Sequence, residues 1–113
     1  MHELALVRSI YEIIEQKIKE HNIKRVLQVS IIAGEMAGVE DRFMQACFET
    51  YVQSTPAEGA KLMIRHIPIK VCCRVCGNEY ETGIPFMECP LCGNKSFKII
   101  AGKELYIESL EAE

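Results

Sequence analysis

The chain has 113 residues, 49% hydrophobic and 26% charged, with a formal net charge of −3. That length suffices for one domain, or for one domain plus a small metal-stapled module. The acidic balance argues against a nucleic-acid binder, whose basic footprint must displace counterions, and no run of about 18 apolar residues offers a membrane span.

Taken in chain order, Leu4 to His21 carries Val7, Ile10, Tyr11, Ile14 and Ile18 on a helical stripe, with Glu12, Glu15, Gln16, Lys19 and Glu20 opposite. His21 and Asn22 suit the helix end, where a cation meets the negative dipole terminus and asparagine tolerates a left-handed cap. Arg25 to Ala33 reads as a strand with Leu27, Val29, Ile31 and Ala33 on one face and Gln28 and Ser30 on the other, broken by Gly34. A second helix is expected from Asp41 to about Ser54, burying Met44, Cys47, Phe48 and Tyr51, with Cys47 as a small core residue. Lys61 to Val71 reads as a further strand whose far end Pro68 pushes to an edge, with His66 structural. After Gly102, Glu104 to Leu110 resumes as a closing strand.

The segment from Cys72 to Lys98 differs in kind. It holds Cys73-Arg74-Val75-Cys76-Gly77, then, after twelve residues that begin with Gly77, Cys89-Pro90-Leu91-Cys92-Gly93. Two residues between thiolates let both sulfurs of one tight turn bind a single ion, and the second turn completes the tetrahedron. Glycine after each second cysteine can take positive φ and let backbone N–H groups point at sulfur. Lys70, Arg74, Lys95 and Lys98 would temper the negative charge of four thiolates. The module has too little apolar mass to fold alone, so metal binding must supply much of its stability.

Four thiolates suit zinc or iron alike. The absence of tryptophan and the thin aromatic set near the knuckles (Tyr80, Phe86 and Phe97) favour zinc over a rubredoxin-like iron electron carrier. With all four ligands from protein, no open coordination position remains for catalysis, so a structural role is expected. Cys72 beside Cys73 makes the register ambiguous, but a Cys72 ligand would need a three-residue spacer, which favours Cys73 and leaves Cys72 a spare thiol.

The chain begins Met1-His2-Glu3-Leu4, with no basic leader and no apolar stretch before a small-residue cleavage site. Clustered cysteines without a secretion signal read as metal ligands, and the expected compartment is cytoplasmic. A free α-amine, the following amides and an imidazole at position two can wrap one metal ion. Amide nitrogens ionise only for a polarising ion that favours square-planar nitrogen ligation, meaning Cu(II) or Ni(II). From chemistry alone, His2 as an unremarkable residue at a chain end stays open beside that reading.

These elements give an α+β fold: two helices packed on a small three-stranded sheet, with an inserted zinc-ribbon or knuckle module. The expected boundaries are 1–70 plus 101–113 for the α+β domain and 71–100 for the zinc-binding module.

The order of Met1-His2-Glu3-Leu4, the strand ending Ala33-Gly34-Glu35, the Phe48-Glu49 helix, the Ala57-Glu58-Gly59-Ala60 turn, the four cysteines and the strand Leu105-Tyr106-Ile107 resembles the HypA/HybF family of nickel metallochaperones for [NiFe]-hydrogenase maturation. The resemblance covers essentially the whole chain. It implies a non-enzymatic protein that carries Ni(II) as cargo at His2, with the Met1 amine, neighbouring amides and Glu3 supporting the site, and Glu40 as a weaker candidate near the same ion. It implies a structural Zn(II) at Cys73, Cys76, Cys89 and Cys92. Its partners would be the GTPase HypB and the hydrogenase large-subunit precursor, with urease maturation proteins for some relatives, and neither nucleic acid nor membrane; a weak homodimer is compatible with it. Some relatives carry histidines beside their knuckle cysteines, where this chain has Gly77 and Gly93, so an exchange of histidine for cysteine is not expected. The competing reading is a zinc-ribbon adaptor in which His2 plays no part.

Overall fold

The computed structural model describes residues 3–113. In chain order the elements are α1 (Glu3–His21), β1 (Val26–Gly34), a 3-10 turn (Glu35–Ala37), α2 (Asp41–Tyr51), β2 (Lys61–Ile67), β3 (Ile69–Cys73), β4 (Glu79–Thr82), β5 (Phe97–Ala101) and β6 (Leu105–Ala112). Two three-stranded sheets form, in the orders β2-β1-β6 and β4-β3-β5. The chain divides into two compact units: Met1–Ile32, Val39–Arg65 and Tyr106–Glu113 make the first, and Ala33–Gly38 and His66–Leu105 the second. No helix among the described residues is long and apolar enough to cross a membrane.

The first unit is the expected pairing of two helices with one sheet. Val7, Ile10, Tyr11 and Ile14 of α1 are buried, with Met44 and Phe48 of α2, Val52 just after it, Val29 and Ile31 of β1 and Leu62 of β2. The Tyr11 and Tyr51 rings meet at 5.5 Å between centroids, in the tilted geometry that aromatic pairs favour. Helix α1 ends as its last residues predict: Asn22 takes φ 50°, and the Ile23 N–H returns to the Ile18 carbonyl at 3.1 Å, satisfying a carbonyl left free by the helix end.

Three readings of this unit need correction. Leu27 is exposed, because the covered position at the start of β1 goes to Val26, whose N–H donates to the Pro56 carbonyl at 2.9 Å. Cys47 is only half-buried, since the inward stripe of α2 runs through Met44 and Phe48 to Val52. Helix α2 also stops at Tyr51, before Ser54 takes φ 63°.

In the second unit Pro68 does more than displace a strand end. It separates β2 from β3, and β3 becomes the central strand of the second sheet. Both neighbours run antiparallel to it: Val71 lies opposite Tyr80 on β4 and Ile99 on β5, with an irregularity between Lys70 and Val71. The small core of this unit includes Ile69, Val71 and Ala33, with Cys73 and Cys89 buried as well.

Gly34 closes this unit by close approach, not by unusual backbone torsion. A Cβ there would fall on the Gly102 carbonyl. The Gly34 N–H donates to the Glu104 carbonyl at 2.7 Å, and the Met36 N–H to the Gly102 carbonyl at 2.8 Å. Gly102 needs both freedoms: its φ is 110°, and a Cβ would stand 2.7 Å from the Ile69 Cα. Gly34→Ala should therefore destabilise by about 3 kcal/mol, with a loss of more than about 10 °C in Tm. Gly83→Ala, where a Cβ meets nothing within 4 Å, serves as the near-neutral control in the same thermal melt.

Candidate metal centre

The two Cys-x-x-Cys segments fold as near-copies of one turn. In the first, the Gly77 N–H donates to the Cys73 carbonyl at 3.0 Å, and the Cys73 N–H to the Asn78 carbonyl at 2.8 Å. In the second, the Gly93 N–H donates to the Cys89 carbonyl at 2.8 Å, and the Cys89 N–H to the Asn94 carbonyl at 3.0 Å. Gly77 and Gly93 take φ of 78° and 74°, the left-handed conformation that other residues resist. Each turn thus places its two sulfurs on one side, and β3 and its neighbours bring the two turns face to face.

The ligand atoms of Cys73, Cys76, Cys89 and Cys92 all lie within 4.8 Å of one another. Cys73 Sγ stands 3.5 Å from Cys92 Sγ, and Cys76 Sγ 3.6 Å from Cys89 Sγ. A tetrahedron with metal–sulfur bonds of about 2.3 Å has edges of about 3.8 Å, so one ion with four thiolate ligands fits the cluster. Such a donor set is soft, closed and made wholly of protein atoms. It can hold a metal firmly and has no corner at which to bind substrate.

Hydrogen bonds and burial split the thiols. The Cys76 and Val75 N–H groups hold Cys73 below the usual thiol range. Burial works to raise Cys89, but the Cys92 and Leu91 N–H groups and the neighbouring thiols outweigh it and bring it to about 6. Cys92 receives the Asn94 N–H, yet its hydrogen bond to Cys73 and its desolvation push it up to about 12. Cys76 likewise receives the Asn78 N–H, but desolvation and the thiols of Cys89 and Cys73 raise it on balance. The four thiols are therefore linked in one network in which an ionised sulfur makes its neighbour the donor. The same negative charge lies behind the raised Tyr80 hydroxyl, after the desolvation of that group. Tyr80 is fixed by its hydrogen bond to the Met87 carbonyl at 2.9 Å.

Two of the basic residues expected to neutralise the sulfurs, Arg74 and Lys70, are used elsewhere. Arg74 Nε donates to the Phe97 carbonyl at 3.1 Å, and Lys70 pairs with Glu79 at 3.5 Å. The sulfur donors are instead backbone N–H groups, such as Cys76 N–H to Cys73 Sγ at 3.5 Å, and the Asn78 carboxamide, 3.8 Å from Cys89 Sγ. Asn78 escaped the sequence reading, although an asparagine follows the glycine of both knuckles. Cys72 stands outside the cluster, half-buried, with its thiol toward the Cys73 and Gly77 carbonyls.

Of the N-terminal candidates, Met1 and His2 lie outside the described residues. Glu3 opens α1, and its carboxylate accepts the Glu40 N–H at 3.5 Å. The Glu40 carboxylate caps α2 by accepting the Phe43 N–H at 2.9 Å. His66 sits exposed on β2.

The register can be tested directly. Cys73→Ser should lose bound metal, whereas Cys72→Ser should keep about one ion per chain by elemental analysis.

Residues 1–112 match the family model described as HypA, hydrogenase/urease nickel incorporation, metallochaperone. The chain is 36% identical over its whole length to hydrogenase maturation factor HypA of Desulfitobacterium hafniense, covering 99% of that protein. It is 36% identical to the protein of the same name from Aquifex aeolicus, covering 98% of it. Its fold is similar to the solution structure of the Ni metallochaperone HypA from Helicobacter pylori, with a TM-score of 0.69 and 23% identity over 99% of this chain and 97% of that one. By the match over residues 1–112 and the 36% identity over the whole chain, this chain belongs to the HypA family of nickel-incorporation metallochaperones, which are maturation factors and not enzymes.

Proposed function

We propose that this chain binds Ni(II) at its N-terminus and passes it on for [NiFe]-hydrogenase maturation, while the four cysteines hold a structural Zn(II). The observation that carries this reading is the match of residues 1–112 to a nickel-incorporation family, in a chain that begins Met1-His2-Glu3. The Met1 amine, the His2 imidazole and the intervening amides supply the nitrogen donors that a square-planar Ni(II) prefers. Glu3 follows that set directly in sequence, and its carboxylate accepts the Glu40 N–H at 3.5 Å.

The two metals then have separate tasks. A site of terminal amine, amides and imidazole is exchangeable, so nickel moves by ligand replacement when an acceptor docks. The closed thiolate set leaves no corner for such exchange and serves as a staple. On this reading residues 1–70 with 101–113 form the nickel half, and residues 71–100 the zinc half. The partners are the GTPase HypB and the hydrogenase large-subunit precursor, in the cytoplasm. A role toward urease maturation proteins agrees with the wording of the family description.

Calorimetric titration of untagged protein should give about one nickel ion per chain, and His2→Ala should remove that uptake. Zinc is to be confirmed beforehand by elemental analysis, with no iron–thiolate absorption. Equal nickel binding by both proteins would eliminate the N-terminal site. Lowering the pH from about 7.5 to about 5.5 should release nickel as imidazole, amine and amides regain protons, while zinc stays bound. Loss of zinc ahead of nickel would contradict this division.

A further inference from the structure

The four sulfurs are not equivalent. In each knuckle the first cysteine is buried and the second exposed: Cys73 and Cys89 retain 2% and 1% of their accessible surface, whereas Cys76 and Cys92 face solvent. The two turns match in their backbone hydrogen bonds, but the asparagine that ends each of them is used differently. Asn94 turns its side chain back into its own loop, where Oδ1 accepts the Ser96 N–H at 2.7 Å. Asn78 reaches across to the other knuckle, where Nδ2 donates to Cys89 Sγ at 3.8 Å. Its own carbonyl accepts the Cys73 N–H at 2.8 Å, so this one residue engages both buried cysteines.

We infer that Asn78 is a positioning residue that makes Cys73 and Cys89 the fixed half of the metal centre and leaves Cys76 and Cys92 as the half that solvent-borne reagents reach. A carboxamide donor on a buried thiolate orients the sulfur and offsets part of its charge without adding a net charge. Neither exposed sulfur receives a side-chain N–H among the described hydrogen bonds; besides the contacts among the thiols, Cys76 and Cys92 take the backbone N–H groups of Asn78 and Asn94. A chelator or electrophile arriving from solvent meets these two thiolates first. The centre is therefore one-sided, with alkylation and oxidation directed to the Cys76–Cys92 edge and Asn78 guarding the opposite corner.

Limited alkylation of zinc-loaded protein with N-ethylmaleimide, followed residue by residue by mass spectrometry, tests this. Cys76 and Cys92 should be modified well before Cys73 and Cys89. Asn78→Ala should raise the modification rate of Cys89 about tenfold, and the isosteric Asn78→Asp should do at least as much by setting a carboxylate against the thiolate. Asn94→Ala, at the matching position of the other knuckle, should leave the order unchanged. In the Co(II)-substituted protein the sulfur-to-metal absorption band should shift for Asn78→Asp and hold for Asn94→Ala, which separates tuning of the site from loss of fold. Equal rates at all four cysteines would overturn the inference. So would an Asn94→Ala phenotype matching that of Asn78→Asp.

Discussion

The second unit depends on four sulfurs being held at mutual distances of 4.8 Å or less. Four thiolates at that spacing repel one another, and four thiols there gain only weak hydrogen bonds. The arrangement becomes favourable when a cation sits among them. Little else could hold the module together: its short strands surround a core of Ile69, Val71 and the two buried cysteines, with Thr82 closing one side. Ile84, Met87 and Leu91 add nothing to that core, being exposed. Metal coordination and folding are therefore coupled in this unit, whereas the first unit has a conventional apolar core built from two helices and a sheet.

Under the proposed function, that contrast lets a protein of 113 residues divide metal handling between two chemistries. A site that staples a fold must not release its ion, because the fold would be lost with it. A site that delivers an ion must let go on contact with an acceptor. Thiolates from two rigid turns suit the first task. The nitrogen donors proposed at Met1 and His2 suit the second. The contact from the Glu40 N–H to Glu3 at 3.5 Å links the first turn of α1 to the loop that starts α2, and both ends of it belong to the first unit.

Much of this could be read from residue order because the signals were local. The α1 stripe, the Asn22 terminus and the start of α2 follow from spacing and capping within a few residues. The Cys-x-x-Cys-Gly turns are equally local, and the glycines take the positive φ that the pattern requires. What escaped was non-local. Strands β4 and β5 are four and five residues long and gain their identity by pairing with β3, and Glu79-Tyr80-Glu81-Thr82 has no apolar period to announce it. Periodicity points Leu27 and Cys47 inward because it gives a direction but not the extent of the cover. Gly34 was legible as a break, but its close approach to Gly102 joins residues far apart in the chain. His2 is the reverse case, with its chemistry argued from residue type and the family match, and its place outside the described residues.

The two knuckles show how a local repeat acquires unequal roles. Their sequences share Cys-x-x-Cys-Gly-Asn, and their backbone hydrogen bonds are near-copies. From residue order alone they are interchangeable. Context separates them: Arg74 of the first knuckle donates to Phe97 on β5, while Pro90 at the same place in the second has no N–H to give and leads into exposed Leu91. The first knuckle is thereby tied to the sheet by both its arginine and its strand. From that anchored side the Asn78 carboxamide extends to Cys89. A donor on the fixed knuckle that holds a sulfur of the other converts two equal loops into one anchored pair and one exposed edge.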